Sequence, residues 1–253
     1  MKITFLGTGT SQGIPTINCN HPVCFSNDKR DKRLRVSILI EWDNYCYVVD
    51  CGPDFRYQML RANVKKIDGV LFTHEHSDHT AGLDDLRPFS FQLGAVPLYA
   101  QQRVLDYLSK RYDYIFNDEN KYPGAPSVKQ IAIENSPFKI GNLIVKPVEV
   151  MHANLKIFGY RFRNAAYLTD VKYIDTKEKE KLKDLKVLII NAVRYKPHHS
   201  HLNLEEALEL IEELKPQKAY LTHISHHLGF HKEVEKKLPN NVFLAYDELE
   251  VNI

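Results

Sequence analysis

Short apolar runs that end in a polar residue recur along the chain, and they predict β-strands. The runs cover residues 36–41, 45–49, 69–73, 143–150, 165–169, 187–190 and 218–222. The first two are separated by Asp43-Asn44, a turn sequence that indicates a pair of neighbouring strands.

Helical periodicity is clearest after Asn203, which suits the N-cap position and is followed three residues later by Glu206. Apolar residues recur at helical spacing until Pro216, which ends the pattern. Shorter helices are predicted at 55–62, 102–110, 176–185 and 231–238. Because strands and helices are spread along the whole chain, we expect an α/β fold in a single domain covering residues 1–253.

One loop after a predicted strand holds four potential metal ligands within six residues, in the pattern His74-x-His76-x-Asp78-His79. Imidazole nitrogen and carboxylate oxygen suit Zn, Mn or Fe, and the lack of thiolates disfavours a closed structural zinc site. Gly82 follows and leaves the backbone room to turn. Since His and Asp packed together without a compensating partner are costly to bury, the loop predicts a metal centre.

Other predicted strands also end at potential ligands. His152, Asp170 and His223 each stand just after an apolar run, where strand-based folds tend to place functional groups. Singly, each could equally be a capping or core residue, but their shared position favours metal binding. Two neighbouring ions would lower the pKa of a water between them and give a bridging hydroxide, so hydrolysis is the expected chemistry. Asp50, at another strand end, is expected either to orient a ligand His or to be a turn residue.

A second cluster, Cys19-x-His21-x-x-Cys24, offers three ligands at a spacing typical of zinc sites. A fourth ligand is missing locally, and the alternative is a loop with two free thiols. Cys46 and Cys51 lie in or beside an apolar strand and are predicted to be buried as small hydrophobic residues.

The composition limits the expected partners. The 34 Lys and Arg against 32 Asp and Glu leave a formal net charge of +2, too near balance to predict nucleic-acid or membrane binding. The apolar run that begins at Met1 is too short for a signal peptide or a membrane span, so we expect a cytoplasmic protein. A small-molecule substrate is favoured over a nucleic acid, and a homodimer stays open.

The motif of His74, His76, Asp78 and His79 matches letter for letter the signature of the metallo-β-lactamase superfamily, which the chain resembles over its whole length. The resemblance implies an αββα four-layer sandwich with two divalent ions, Zn or Mn, at one edge of the sheets. The implied ligands of the first ion are His74, His76 and His152. Those of the second ion are Asp78, His79 and His223, with Asp170 bridging. Asp78 is expected to be catalytic as well.

Within the superfamily, the Cys/His segment is similar to that of the phosphoribosyl cyclic phosphodiesterases of phosphonate metabolism, which hold a structural zinc there. The matching residues are Cys19, His21, Cys24 and His226, with His21 where that group has Cys. This resemblance implies a phosphodiesterase that acts on a small cyclic or nucleotide-like phosphodiester.

Three other functions are weighed against this one. A tRNA 3′-processing nuclease is the nearest alternative, but no glycine-rich basic insertion that could form its tRNA-gripping arm is visible. A thioester or lactone hydrolase would use the same metals on a carbonyl, and the Cys/His loop would then have no counterpart. A binding module without activity would have lost metal ligands, and none is missing here.

Cleavage of a phosphodiester requires a proton for the leaving alkoxide, and a nearby His is the usual donor. His199 and His201 lie in the predicted loop before the long helix. A gapless match to related enzymes from Asn203 backward favours His199, with His201 as its competitor and a solvated loop as the third interpretation.

The sequence offers several candidates for substrate contacts. Arg33, Arg35 and Arg194 could each contact a phosphate, although scattered arginines are mostly surface residues. A group of aromatic residues could form a lid, or equally pack in the core or at a dimer contact. Its members are Tyr112, Tyr114, Phe116 and Tyr122.

Overall fold

The computed structural model describes residues 1–117, 119 and 121–253, and these form two mixed β-sheets. The first sheet has the strand order β14-β1-β2-β3-β4-β5-β6 and the second β13-β12-β11-β10-β9-β8-β7. The strands of the first sheet are β1 (Lys2–Gly7), β2 (Ser37–Trp42), β3 (Tyr45–Val49), β4 (Gly69–Leu71), β5 (Val96–Ala100), β6 (Val128–Ala132) and β14 (Glu250–Asn252). Those of the second are β7 (Phe138–Ile140), β8 (Leu143–His152), β9 (Leu155–Phe162), β10 (Ala165–Leu168), β11 (Val187–Asn191), β12 (Lys218–Thr222) and β13 (Val242–Leu244).

Helices connect the strands and cover the outer faces of the sheets. The α-helices are α1 (Phe55–Arg61), α2 (Ser77–Thr80), α3 (Arg87–Leu93), α4 (Gln102–Arg111), α5 (Asp113–Phe116), α6 (Thr176–Lys179), α7 (Leu204–Leu214) and α8 (His231–Glu235). Short 3-10 segments occur at Pro22–Phe25, Lys29–Asp31, Leu83–Leu86, Glu180–Leu182 and His226–Leu228. Within the described residues, no helix is long and apolar enough to cross a membrane.

Three apolar clusters show how the layers pack. The central cluster joins the facing sides of the two sheets through buried residues such as Phe5 and Tyr160. A second cluster packs the first sheet against α1, α3 and α4, and a third packs the other sheet against α7 and α8. The order helix, sheet, sheet, helix confirms the predicted αββα sandwich.

Within each sheet, parallel strands bring the functional ends together. Strands β3, β4, β5 and β6 run parallel, as do β10, β11, β12 and β13. Because the carboxyl ends of parallel strands meet at one edge of a sheet, residues that follow β3 and β4, or β10 and β12, lie close together.

The predicted elements are present with small shifts of their ends. The strand predicted at 69–73 ends at Leu71, and the helix predicted at 176–185 divides into α6 and a 3-10 turn. Helix α7 begins and ends where the sequence indicates, with both bonds of a capping box between Asn203 and Glu206. Cys46 and Cys51 are buried, as predicted.

The strands that were not predicted are β1, β5, β6, β7, β9, β13 and β14. In β9, Gly159 weakens the strand pattern in the middle of the strand. A Cβ at position 159 would lie 2.3 Å from Leu168 Cδ2 and 2.8 Å from Tyr167 O, so the close packing of β9 on β10 requires glycine.

Candidate metal centre

The predicted ligands lie at the ends of strands from both sheets. Asp50 directly follows β3, and His223 directly follows β12. His152 is the last residue of β8, and Asp170 lies two residues after β10. Asp50, Asp170 and His223 have φ values of 65°, 59° and 52°, so the chain turns sharply at each of these positions.

The loop that carries the motif is packed tightly against the turn that follows β3. Cys51 N donates to His79 O at 2.8 Å, and Gly82 N donates to Cys51 O at 2.9 Å. A Cβ on Gly52 would lie 2.1 Å from Asp78 O, and one on Gly82 would lie 2.2 Å from Gly52 O. Gly82 has a φ of −92°, so close backbone approach, rather than an unusual turn, requires glycine there.

The seven predicted ligands form two adjoining groups. In each group, the potential ligand atoms all lie within 4.8 Å of one another. The first group consists of His74, His76 and His152, and the second of Asp78, His79 and His223. Asp170 lies between them, since it also groups with His74 and His79. Its Oδ2 is 3.3 Å from His79 Nε2, and its Oδ1 is 3.4 Å from His223 Nε2.

Buried hydrogen bonds orient two of the imidazoles. Asp50 Oδ2 is 2.7 Å from His79 Nδ1, and Asp50 also accepts from the backbone N and the hydroxyl of Thr73. His152 Nδ1 lies 3.0 Å from Ser200 O. A carboxylate or carbonyl partner at Nδ1 requires the proton there and leaves Nε2 free to bind a metal. Thr73 and Ser200 were not predicted, because the partners they hold, Asp50 and His152, are distant from them in sequence.

The electrostatics of the centre depend on burial and on mutual pairing. Burial lowers the pKa of His74. Burial also opposes the protonation of His79, but the carboxylates of Asp78, Asp170 and Asp50 hold its pKa above the usual range. Although burial raises it, the pKa of Asp170 is held well below normal by His223 and His79. The carboxylate therefore stays ionised in a buried position.

Unpartnered polar atoms show that this donor set fits divalent cations. His79 Nε2 and both ring nitrogens of His223 are buried without a hydrogen-bonding partner among the described residues. Such atoms cost about 1–3 kcal/mol each unless a ligand satisfies them. Imidazole nitrogens and carboxylate oxygens that converge on two positions suit Zn or Mn ions.

The two candidate proton donors differ in their surroundings. His201 Nδ1 is 3.5 Å from Asp170 Oδ1, and its ring lies 4.7 Å from that of His152. Burial, followed by the charge of His223, lowers its pKa to about 2. His199 is exposed and stacks on His198 at 4.6 Å. The structure therefore brings His201, and not the sequence-favoured His199, to the metal centre.

The second predicted site is partly assembled. The ligand atoms of Cys19, Cys24 and His226 lie within 4.8 Å of one another. Thr16 Oγ1 lies 3.3 Å from His226 Nδ1, and that contact leaves Nε2 available for a metal. His21 does not join this group, but its ring centroid lies 5.1 Å from that of His226. Its Nδ1 accepts a hydrogen bond from Val23 N at 3.4 Å.

A cavity of about 260 Å³ extends between the two clusters. His201 and His223 line one part of it, and His226, His227 and Arg194 also contribute to its wall. A larger cavity of about 630 Å³ lies beside β2 and β3, but its lining includes none of the predicted metal ligands. The cavity at the metal centre is therefore the candidate substrate site.

The three arginines considered from the sequence have different environments. Arg33 is buried and donates to Thr8 Oγ1 at 2.8 Å and to Ala245 O at 2.5 Å. Arg35 is paired with Asp54. Of the three, Arg194 lines the cavity.

The predicted aromatic group packs behind the motif rather than over the cavity. Tyr112 is buried, and its hydroxyl lies 3.3 Å from Thr80 O. Tyr114 stacks on Tyr122 with ring centroids 5.7 Å apart. None of these residues lines the cavity at the metal centre.

The motif loop is also held by an ion pair that sequence reasoning missed. Arg103 on α4 pairs with Glu75 and donates to Lys156 O at 2.8 Å on β9. From the far end of α4, Arg111 donates to Ser77 Oγ at 2.7 Å. Both residues between the motif's ligands are thus tied to α4.

The family model described as "Beta-lactamase superfamily domain" matches residues 45–224, which is more than half of the chain and includes all seven predicted ligands. The chain belongs to the metallo-β-lactamase superfamily. A solved structure described as a new diphosphatase from the PhnP family has 39% sequence identity and a TM-score of 0.93, with 100% of this chain and 97% of that one covered. Within this superfamily, the chain is therefore similar to a PhnP-family protein over its whole length.

Two relatives of this chain are named for other activities. An octanoyltransferase from Porphyromonas gingivalis is 42% identical over 256 residues, which cover 100% of this chain and 52% of that protein. A ribonuclease Z from Bacillus licheniformis is 32% identical over 167 residues, which cover 64% of this chain and 48% of that protein. The alignments thus span about half the length of these relatives.

Proposed function

We propose that this superfamily member hydrolyses small phosphodiesters, including nucleotide-like ones, at a centre that holds two divalent ions. The observation that carries the proposal is the set of seven converging His and Asp ligands beside a cavity. Its other walls carry Arg194 and several His, and no carboxylate among the described residues. An anionic phosphate complements such a cavity. The similarity to a PhnP-family diphosphatase and to ribonuclease Z also supports the cleavage of phosphodiester bonds.

In this proposal each ligand group holds one ion. His74, His76 and His152 would hold the first, Asp78, His79 and His223 the second, and Asp170 would contact both. When bound, two divalent ions neutralise charge on the phosphate and make a water nucleophilic near neutral pH. Zn and Mn both suit these donors.

The protein's own groups would position the reactants and move the proton. His201 stands beside Asp170 at the cavity wall, and its lowered pKa keeps the imidazole neutral. It would donate a hydrogen bond to the leaving oxygen and relay to it a proton that its other ring nitrogen accepts from the attacking water. Asp78, whose Oδ2 lies 3.3 Å from His79 Nε2, would orient the attacking water. Asp50 keeps the Nδ1 proton of His79 in place, so that Nε2 stays available for the metal.

We also propose that a structural zinc occupies the second site, with Cys19, Cys24 and His226 as ligands and His21 as the fourth. The tilted approach of the His21 and His226 rings supports this set, and Cys2His2 is a common zinc ligand set. About one tightly bound zinc should remain in a His76→Ala/Asp170→Ala variant. Loss of all zinc from that variant would contradict the second site.

The test of the main proposal is an assay of the purified, metal-analysed protein against bis(p-nitrophenyl) phosphate, a ribose cyclic phosphate, a precursor tRNA, a thioester and a lactone. We expect turnover of the small phosphodiesters. A His76→Ala or Asp170→Ala variant should lose active-site metal and activity together. Carbonyl turnover without phosphodiester turnover would refute the proposal.

Acyl hydrolysis is the second candidate, because the octanoyltransferase relative is 42% identical over the whole of this chain. The chain covers only 52% of that relative, so the acyl-transfer activity can reside in the other half. The thioester in the assay decides between the two candidates.

A further inference from the structure

A second cavity of about 410 Å³ adjoins the one at the metal centre, and it is lined by Arg194, Tyr195, Lys196 and His227. We refer to these four residues as the cationic rim. Arg194 and His227 line both cavities, so the rim continues directly from the reacting position. A substrate longer than one phosphate would extend onto it.

The rim has positive charge without paired carboxylates. Arg194 Nε and Nη2 donate to the carbonyls of Lys196 and Pro197 at 3.2 and 2.7 Å. No ion pair is formed by Arg194 or Lys196 with any described residue, in contrast to Arg35 with Asp54 and Arg61 with Asp247. Two backbone carbonyls thus fix the guanidinium, while its remaining N–H groups are available for an anion.

The backbone of the rim is anchored on both sides, so the site is preformed. Asn203 Nδ2 donates to Tyr195 O at 3.0 Å, and Leu204 N donates to Arg194 O at 2.9 Å at the start of α7. Ser225 binds Val193 O through both its N and its hydroxyl. A preformed site loses little entropy when a ligand binds.

Tyr195 adds an apolar surface to the charged rim. Its side chain is 46% exposed, although it lies beside the cavity that leads to the metal centre. An exposed aromatic ring next to cationic groups suits a nucleobase attached to a phosphate, because every base has a flat face that stacks on such a ring.

We propose that the cationic rim is a substrate subsite that binds the second phosphate and the base of a nucleoside diphosphate ester. This rests on the proposed phosphodiesterase activity. Arg194 and Lys196 bind the phosphate that is not attacked, and Tyr195 stacks on the base. The enzyme therefore prefers substrates in which a phosphoanhydride links the reacting phosphate to a nucleotide.

Three substrates separate the contributions of the rim: bis(p-nitrophenyl) phosphate, thymidine 5′-(p-nitrophenyl phosphate) and diadenosine diphosphate. Arg194→Gln should raise KM for the diphosphate about tenfold more than KM for bis(p-nitrophenyl) phosphate, which corresponds to one charge-assisted hydrogen bond. Tyr195→Ala should raise KM for both nucleotide substrates, and Tyr195→Phe should restore it. Lys183→Gln, at an exposed lysine on another surface, is the matched control.

The outcomes distinguish this inference from the proposed function. If wild-type protein cleaves phosphodiesters but Arg194→Gln raises KM equally for all three substrates, the subsite is wrong and the activity stands. If no phosphodiester is cleaved, the activity is wrong, and calorimetry with ADP and AMP tests the rim separately. Tighter binding of ADP than AMP that disappears in Arg194→Gln supports the rim, and equal binding overturns it.

Discussion

At the scale of single residues, the metal centre depends on a backbone conformation that is unfavourable for most side chains. Asp50, Asp170 and His223 all have positive φ, in the region that glycine favours. Each such residue costs on the order of 1 kcal/mol and persists only where the surrounding structure holds it. The strain lies at strand ends, where it directs a polar side chain towards the cluster.

Asp50 is predicted to act on the metal through His79. Asp50→Asn keeps the size of the side chain but removes the charge that holds the Nδ1 proton of His79 at 2.7 Å. We expect metal affinity to fall about 10- to 100-fold. Metal analysis after dialysis against a chelator series measures this, and unchanged affinity would contradict the role. Asp43→Asn, in a surface turn, is the control.

His201 and His199 are predicted to differ as proton donors. His201→Ala should lower kcat for a substrate with a poor leaving group about 10²- to 10⁴-fold, because His201 faces Asp170 at the metal centre. His199→Ala should have little effect, since His199 is exposed. The His201→Ala defect should shrink for p-nitrophenyl esters, whose leaving group needs no proton. An equal defect for both leaving groups, or metal loss in His201→Ala, would argue for a ligand role instead.

At the scale of elements, the start of α7 supports the loop that carries the candidate donor and the rim. Asn203 Oδ1 accepts from Glu206 N at 2.8 Å, and Asn203 N donates to Glu206 Oε2 at 2.9 Å. Asn203 Nδ2 also binds Tyr195 O. One residue therefore ends the loop, begins the helix and holds the rim.

Asn203→Ala is predicted to destabilise the protein by about 1–2 kcal/mol, because it removes the helix cap and the bond to Tyr195. Asn203→Asp keeps the capping oxygen but lacks the Nδ2 donor, so it should cost less. Urea denaturation with a common m-value measures both free energies of unfolding. Equal losses in the two variants would show that the cap contributes nothing.

At the scale of the whole molecule, a buried polar network joins the segment before β2 to the start of α8. Arg33 Nη2 donates to His231 Nδ1 at 3.2 Å, and His231 N donates to Asp31 at 2.7 Å. Burial, followed by the charge of Arg33, lowers the pKa of His231 to about 4. The native imidazole therefore stays neutral at pH values where an unfolded chain would protonate it.

This network predicts a loss of stability in mild acid. Between about pH 6.5, the usual pKa of His, and about pH 4, the unfolded chain binds a proton that the native protein does not. Stability therefore falls as the pH falls through this window. His231→Asn keeps an acceptor for Arg33 but cannot titrate. Its loss of unfolding free energy between pH 7 and 4.5 should be smaller than that of wild type by about 1–2 kcal/mol, and equal losses would refute this.

The amino-acid sequence by itself determined what depends on local spacing. The motif's ligands converge because a single loop carries them, and α7 begins at Asn203 because its capping groups are three residues apart. The strand-end positions of His152 and Asp170 follow from the apolar runs before them. Because β8 and β10 both run antiparallel to β9 between them, they point the same way and their ends meet at one edge.

Only the tertiary structure decided what depends on distances between remote segments. It placed His201 rather than His199 at the metal centre, brought His226 to Cys19 and Cys24, and put Arg194 on the cavity wall. Neighbouring His or Arg residues have the same chemistry in the sequence. Which of them reaches a site depends on loop conformation and on the packing of two sheets, and no local pattern encodes those.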